Sequence, residues 1–411
     1  MSMAEIEKQA SYFAIRQSQH TPREEMLETA RKQRALTIGL PNDSEKSENR
    51  ISLTPQGVEL LVENGHNVII ETGAGQKANY FDKDFSEAGA IIAQSKEEVY
   101  KSHIILKISP PSESEVELMS PNQMLLSYLH FPKQTRESIT KMMNKRINAV
   151  AYEFMRDDAG CYPVVRSMSE IEGYTAISIA SELLSKAHGG KGVLLGGITG
   201  VSPAEVVIIG AGTAGEFAAR AAMGLGCQIK IFDNSYQNLK ELERNIGQRL
   251  FTSILHPQVL TKALKSADVV IASLRYFDSE PIFYITTDQV NKMKPGSVIV
   301  DLSVGDGRCF ESLPPASHNP DEPFLNQKGV IHYMTPNVAS RVSRTSSIAL
   351  SNIIAPLLLK MANAGGIHQL VKTDMGVSNG TYIYRGILTN QYIGNNLGLP
   401  SKDIGLLLAA Y

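Results

Sequence analysis

Short apolar runs rich in β-branched residues recur along the chain, and stretches with helical spacing separate them. In the first part Ala35–Gly39, Asn67–Glu71, His103–Lys107, Met124–Tyr128 and Asn148–Tyr152 read as buried strands. In the second part Glu205–Ile209, Gln228–Phe232, Asp268–Ala272, Ser297–Asp301 and Gly329–Tyr333 read the same way. Thr54-Pro55 marks a helix start, a capping hydroxyl followed by proline at the first helical position. Pro163–Gly200 opens as a long helix and ends in the connector GGKGVLLGGITG. Ile348–Ala364 reads as an apolar helix that crosses back onto the first part. Met1 to about Gln33 suggests one or two surface helices, and Gly365–Tyr411, with several Gly and Asn, reads as an irregular tail at the surface or a subunit contact. The alternation predicts parallel sheets wrapped by helices.

One strand changes the picture. Glu205–Ile209 runs straight into Gly210-Ala-Gly212-Thr-Ala-Gly215, a helical pattern follows, and the next strand ends at Asp233. A GxGxxG triplet alone says little. With a strand before it, a helix after it and an acid about 20 residues on, it defines a dinucleotide site. Gly210 allows the tight turn, Gly212 lets backbone approach a pyrophosphate, and Gly215 lets the helix lie close on the strand. The helix start supplies unpaired N–H groups for the phosphates. Asp233 would accept both adenosine-ribose hydroxyls and repel a 2′-phosphate, and no Lys or Arg follows until Lys240, which predicts NAD over NADP. The expected fold is α/β, with two doubly wound, parallel-sheet, Rossmann-like domains and the active site in the cleft between them. Residues 1–34 would be a helical extension, 35–163 with 344–411 a discontinuous substrate domain, and 164–343 the NAD-binding domain.

Composition narrows the partners. A net charge of −2 gives no reason to expect nucleic acid or an anionic membrane surface. Cys161, Cys227 and Cys309 are widely spaced and the histidines form no HExxH cluster, so neither disulfides nor a metal site is expected, and a reducing cytoplasm fits. The N-terminus lacks the apolar segment of a signal peptide. Ser351, Asn352, Pro356 and Lys360 interrupt Ile348–Ala364, which argues against a membrane span.

In open parallel sheets ligands bind outside the carboxyl ends of the strands. Arg50 lies in the loop after the first strand, Lys107 closes HIILK, and His130 closes MLLSYLH. Across the cleft, LSVGDGR follows the strand Ser297–Asp301. Singly, Arg50 reads equally as a solvated loop charge, Lys107 as a snorkelling lysine and His130 as a half-buried core histidine. Together they suit a small amino or keto acid. Arginine holds a carboxylate bidentately, lysine polarises a carbonyl, and histidine shuttles a proton near neutral pH.

ENRISLTPQGVELLVENGHNVIIETGAG, HIILKISPP, LLSYLH, MSEIEGYTA, GKGVLLGGITGVSPAEVVIIGAGTAGEFAARAAMGLG, MKPGSVIVDLS and RVSRTSSIALSN together resemble the alanine dehydrogenase family over residues 36–362. The related soluble subunit of proton-translocating transhydrogenase shares the ENR-type opening and the glycine motif but usually lacks a histidine at position 130, so His130 favours alanine dehydrogenase. The resemblance implies NAD-linked interconversion of L-alanine with pyruvate and ammonium, in a cytoplasmic homohexamer of two-domain subunits. It implies Arg50 and Lys107 on the substrate carboxylate and carbonyl, and His130 as general acid/base. It also implies Asp233 on the adenosine ribose, with Ser169, Leu274, Val304 and Asn337 at the cofactor.

One stretch departs from the family. Its motif VDxxIDQGGCFE carries a catalytic second Asp, whereas this chain reads VDLSVGDGRCFE from Val300 to Glu311. Without a gap, Gly305 stands at the catalytic position, Asp306 one place later, and Arg308 replaces a glycine. The expectation is that Asp306 takes over, because Gly305 and Gly307 tolerate the positive φ that such a bend needs. The alternatives are a site without its carboxylate, an NAD-binding paralogue that has lost turnover, and a dehydrogenase for another small amino acid.

Overall fold

A computed structural model describes residues 35–274, 285–303, 309–312, 324–333 and 335–410. The early apolar runs form β1 (Thr37–Leu40), β2 (Asn67–Glu71), β3 (Ile91–Ala93), β4 (Ile104–Leu106), β5 (Met124–Ser127) and β6 (Asn148–Ala151). The later ones form β7 (Glu205–Ile209), β8 (Gln228–Phe232), β9 (Phe251–Ser253), β10 (Val269–Ala272), β11 (Val298–Asp301), β12 (Phe324–Gln327) and β13 (Val330–Tyr333), and β14 (Thr381–Tyr384) and β15 (Ile387–Leu388) follow. Among the described residues they make two sheets. One has the order β15-β14-β6-β5-β4-β1-β2-β3 and the other β12-β13-β11-β10-β7-β8-β9. Pairing is parallel except where β14, β15 and β12 join the edges. The fold is two Rossmann-like α/β units, with sheets parallel over most of their width.

Each sheet reverses its winding beside its first strand. β1 lies between β2 and β4, and β7 lies between β8 and β10. At such a point successive loops leave in opposite directions and open a crevice beyond the carboxyl ends of the strands. The loops at the first crevice carry Arg50 and Lys107. Those at the second carry Gly210–Gly215 and Leu274.

Four helices hold these crevices in place. Helix α1 (Pro55–Glu63) starts as expected, with Pro55 in its first turn and the Thr54 side chain accepting from Gly57 N–H. Helix α2 (Pro163–Leu184) buries Val164 and Met168 in the core of the first sheet and Ala176, Ile177, Ile179 and Leu183 in that of the second. Its Gly173 lies so close to α3 (Thr213–Gly224) that a Cβ there would stand 2.4 Å from the Ala214 carbonyl oxygen. Helix α4 (Ser343–Asn363) packs on α1, where Ser351 Oγ accepts from Thr54 N–H at 3.1 Å. Leu53, Leu61, Leu350 and Ile354 are fully buried in their shared core, each contributing about 1.5–3 kcal/mol of transfer free energy. Val338–Asn363 is long and apolar enough to cross a membrane by length and composition, yet half of its most apolar window is buried inside the protein.

The expectation of an irregular tail is wrong: Ile367–Thr373, Met375–Gly380, Gln391–Leu397 and Ile404–Ala410 are helical, and residues 381–388 form a hairpin. TYIY is buried at all four positions and pairs with β6, and the two-residue turn Arg385-Gly386, at φ 51° and 79°, returns the chain into β15. Alternating aromatic and β-branched residues make this a strand. The turn needs positive φ at both central residues, a demand usually met by Asn-Gly or Asp-Gly, and arginine at its first place conceals it. The expected helices of residues 1–34 lie outside the described residues.

Candidate active site

The loop after β1 brings Arg50 back under the sheet edge, where it is 8% exposed. Glu48, two residues earlier, clasps it from the side: Nε donates to Oε1 at 2.8 Å and Nη2 to Oε2 at 2.7 Å. Burial alone would lower the arginine's pKa, but the Glu48 carboxylate outweighs it and holds the guanidinium above its usual range. Nη1 lies 3.3 Å from Met168 Sδ on α2, and the Tyr128 ring centroid is 5.6 Å from the guanidinium carbon. Ser169, next to Met168, is buried on the same helix one turn before Gly173. The Glu172 carboxylate acts electrostatically on both Arg50 and Tyr128.

Lys107 and His130 leave adjacent parallel strands, laced by Lys107 N–H to Leu126 O and Tyr128 N–H to Ile108 O. The Lys107 side chain is buried, and its ammonium donates to Glu115 Oε2 at 2.7 Å. Glu115 also receives Lys96 at 3.0 Å and Ser112 N–H at 2.9 Å. Burial pushes the Glu115 carboxyl up, but Lys107 and these further bonds prevail and set it at about 2. His130 takes a left-handed backbone, φ 45° and ψ 67°. Glu153 fixes that bend, its carboxylate accepting from Leu129 N–H and, at 3.0 Å, from His130 N–H. Arg50 and Lys107 thus each meet a carboxylate of their own.

At the second crevice the site is made of backbone. Gly210 sits at φ 106°, and a Cβ on Gly215 would stand 1.9 Å from the Gly210 carbonyl oxygen. A Cβ on Gly212 would meet nothing within 4 Å, and no side chain caps the start of α3. That open cradle over uncapped amides fits a dinucleotide pyrophosphate. Asp233, 5% exposed, closes β8 and reaches the same turn: Oδ2 accepts from Ala211 N–H at 2.6 Å and Oδ1 from Ser235 N–H at 2.7 Å. Ser273 N–H donates to Ile209 O, which sets Leu274 at the rim beside Gly210. Asn337 is left-handed as well, φ 60° and ψ 52°, and donates from Nδ2 to Glu48 Oε2 at 2.9 Å.

The loop from β11 is anchored at its root. Asp301, fully buried, accepts from Ser303 N–H, Ser303 Oγ–H and Cys309 N–H, and burial nevertheless raises its carboxyl to about 6. Val304, Gly305 and Asp306 lie outside the described residues, so the expectations for Val304 and Asp306 are not reached by the structure. Sequence reasoning missed Glu48, Glu115, Glu153, Tyr128, Met168 and Glu172. Glu48 alone carried a signal, an acid two residues before a candidate arginine.

Two switch-point crevices, one lined by paired charges and one by amides and glycines, define a two-unit α/β protein of the nucleotide-binding class. Residues 39–172 match the family described as "Alanine dehydrogenase/PNT, N-terminal domain", and residues 176–391 match its "Alanine dehydrogenase/PNT, C-terminal domain". The chain belongs to this alanine dehydrogenase/PNT family. It is 34% identical over 375 residues to "Alanine dehydrogenase" of Mycolicibacterium smegmatis, covering 91% of this chain and 100% of the relative. It is 35% identical over 370 residues to "Alanine dehydrogenase" of Staphylococcus saprophyticus, covering 90% and 99%. A solved "L-alanine dehydrogenase" superposes with a TM-score of 0.81 at 34% identity, covering 88% of this chain and 98% of that one. A transhydrogenase from Sinorhizobium meliloti, at 23% identity and TM-score 0.71 over 86% and 99%, shares the fold.

Proposed function

We propose that the chain catalyses the NAD-dependent oxidative deamination of L-alanine to pyruvate and ammonium, and the reverse reaction. One observation supports this reading: Arg50 lies against Met168, the neighbour of Ser169, and its partner Glu48 accepts from Asn337, so a candidate substrate residue is linked to the segments that carry two candidate cofactor residues. NAD supplies the hydride acceptor. Asp233 and the absence of a nearby cation in the sequence after it support NAD over NADP, and the family resemblance supports a homohexamer, a cytoplasmic setting and a division into 35–163 with 344–411 and 164–343.

The substrate carboxylate docks on the Nη1–Nη2 end of Arg50, because Glu48 already holds the Nε–Nη2 side. Lys107 directs a further N–H at the keto oxygen, with Glu115 balancing its charge. His130, aimed by the left-handed bend that Glu153 holds, takes the proton of the attacking water and returns it to the leaving ammonia. Asp306 is proposed as the second acid on the strength of its place beside Gly305.

Formation of NADH with L-alanine, set beside NADH binding, tests the reading. His130→Ala should lower kcat by about 10² to 10⁴ and leave NADH affinity near wild type. Turnover retained in that variant would return His130 to the role of a core histidine. Binding without turnover in the unmodified protein would overturn the activity itself.

A further inference from the structure

One carboxylate joins the two crevices. Glu48 is 3% exposed, and all its acceptor capacity is spoken for. Oε1 accepts from Arg50 N–H at 2.9 Å and Nε–H at 2.8 Å, and Oε2 accepts from Arg50 Nη2 at 2.7 Å and Asn337 Nδ2 at 2.9 Å. The loops around it are interlocked too: Asn49 N–H donates to Ser340 Oγ, whose hydroxyl donates to Ser47 O, both at 2.8 Å. Glu48 is therefore fixed by backbone on either side, and it fixes two functional side chains in turn.

An arginine offers a carboxylate either its Nε–Nη2 side or its Nη1–Nη2 end. Glu48 takes the side and leaves the end, where the only further hydrogen-bond contact among the described residues is the weak thioether acceptor Met168 Sδ, 3.3 Å from Nη1. It also cancels the arginine's charge, so a second carboxylate is held by the direction of the remaining N–H groups more than by net attraction. Without Glu48 the guanidinium is free to turn about its side-chain bonds, and the docking edge is no longer prescribed. Oε2 is shared between Nη2 and Asn337, so the direction of one donor depends on the presence of the other.

We infer that Glu48 is a positioning residue: it prescribes the edge of Arg50 that meets the substrate carboxylate and couples that edge to Asn337. This rests on the reading of Arg50 as the carboxylate ligand. Glu48 touches neither substrate nor cofactor in this role. Its influence falls first on substrate affinity, through Arg50, and reaches the dinucleotide only weakly, through Asn337.

Glu48→Gln keeps the volume but turns an amide N–H₂ towards groups that are themselves donors. With saturating NAD or NADH, KM for both L-alanine and pyruvate should rise about ten- to a hundred-fold, as for a lost charge-assisted bond. The fall in kcat should be smaller, and the dissociation constant of NADH should stay within about two-fold. Asn337→Ala should raise the same two KM values in the wild-type background and add nothing to them in Glu48→Gln, the non-additivity expected of one network. Asn337→Ala alone keeps the buried pair, so if the glutamine variant does not fold, raised KM values with an unchanged NADH dissociation constant support the inference, and unchanged KM values or a loss confined to NADH affinity overturn it. Arg50→Ala separates the two layers of argument. Unchanged KM in Arg50→Ala would remove the carboxylate reading itself. A raised KM there, with normal KM in Glu48→Gln or with Glu48 and Asn337 effects that simply add, would overturn the inference alone. So would a Glu48→Gln protein that loses kcat, NADH affinity and melting temperature together, since that is the behaviour of a purely structural glutamate.

Discussion

The crevice beside β1 and the crevice beside β7 are the same topological device in different materials. The first presents long charged side chains, and each arrives with its own acid: Arg50 with Glu48, Lys107 with Glu115. The second presents main-chain amides and the space left by missing Cβ atoms, with Asp233 bound by backbone N–H groups. A side-chain site fails through charge left unbalanced, and a backbone site fails through atoms that collide. The difference also decides how each responds to pH and to substitution.

Glu115→Gln should have the largest effect on the first site. It leaves the Lys107 ammonium buried without its counter-charge and should cost about 3–5 kcal/mol in denaturant unfolding at neutral pH. Its folded carboxyl sits at about 2, below the ordinary glutamate value of 4.5, so its stabilisation is present above 4.5 and is lost as pH falls towards 2. The wild type should therefore lose stability more steeply across that window than the glutamine variant. Equal slopes would mean that the pair is not what holds Lys107. Gly215→Ala tests the second site. Its Cβ would meet the Gly210 carbonyl oxygen, so α3 must move off the strand, at about 3 kcal/mol, with loss of NADH binding and no change in the pH profile. Asp233→Ala is the smallest, an expected loss of about ten-fold in the preference for NAD over NADP, measured as a ratio of kcat/KM values. A pH-dependent defect in either of the last two would blur the contrast between the sites.

The same contrast explains which parts of each site the sequence reveals on its own. Glycine spacing is a local signal, and Gly210, Gly212, Gly215 and Asp233 all stand where the spacing places them. Lys107 and His130 were legible as polar ends of apolar strands, and Arg50 as a charge in the loop after the first strand. Their partners were not, because Glu115 sits on the next helix, Glu153 beyond the next strand, and Asn337 meets Glu48 across 289 residues. No periodicity announces such pairs. Most strand positions were clear from β-branched runs, while the three-residue edge strands Ile91–Ala93 and Phe251–Ser253 are too short to carry a pattern.

The antiparallel return of β14 onto β6 has a consequence in time. Arg385 N–H bonds to Asn148 Oδ1 across 237 residues, and Tyr382, Ile383 and Leu388 fill the core that lines β4, β5 and β6. On a ribosome adding about 5–20 residues per second, β6 emerges roughly ten to fifty seconds before the strand that covers its edge. Every strand of the second sheet is translated within that interval. The nascent chain therefore carries one finished sheet and one with an open border of unpaired amides, and that border is where a chaperone or a misplaced strand finds its opportunity.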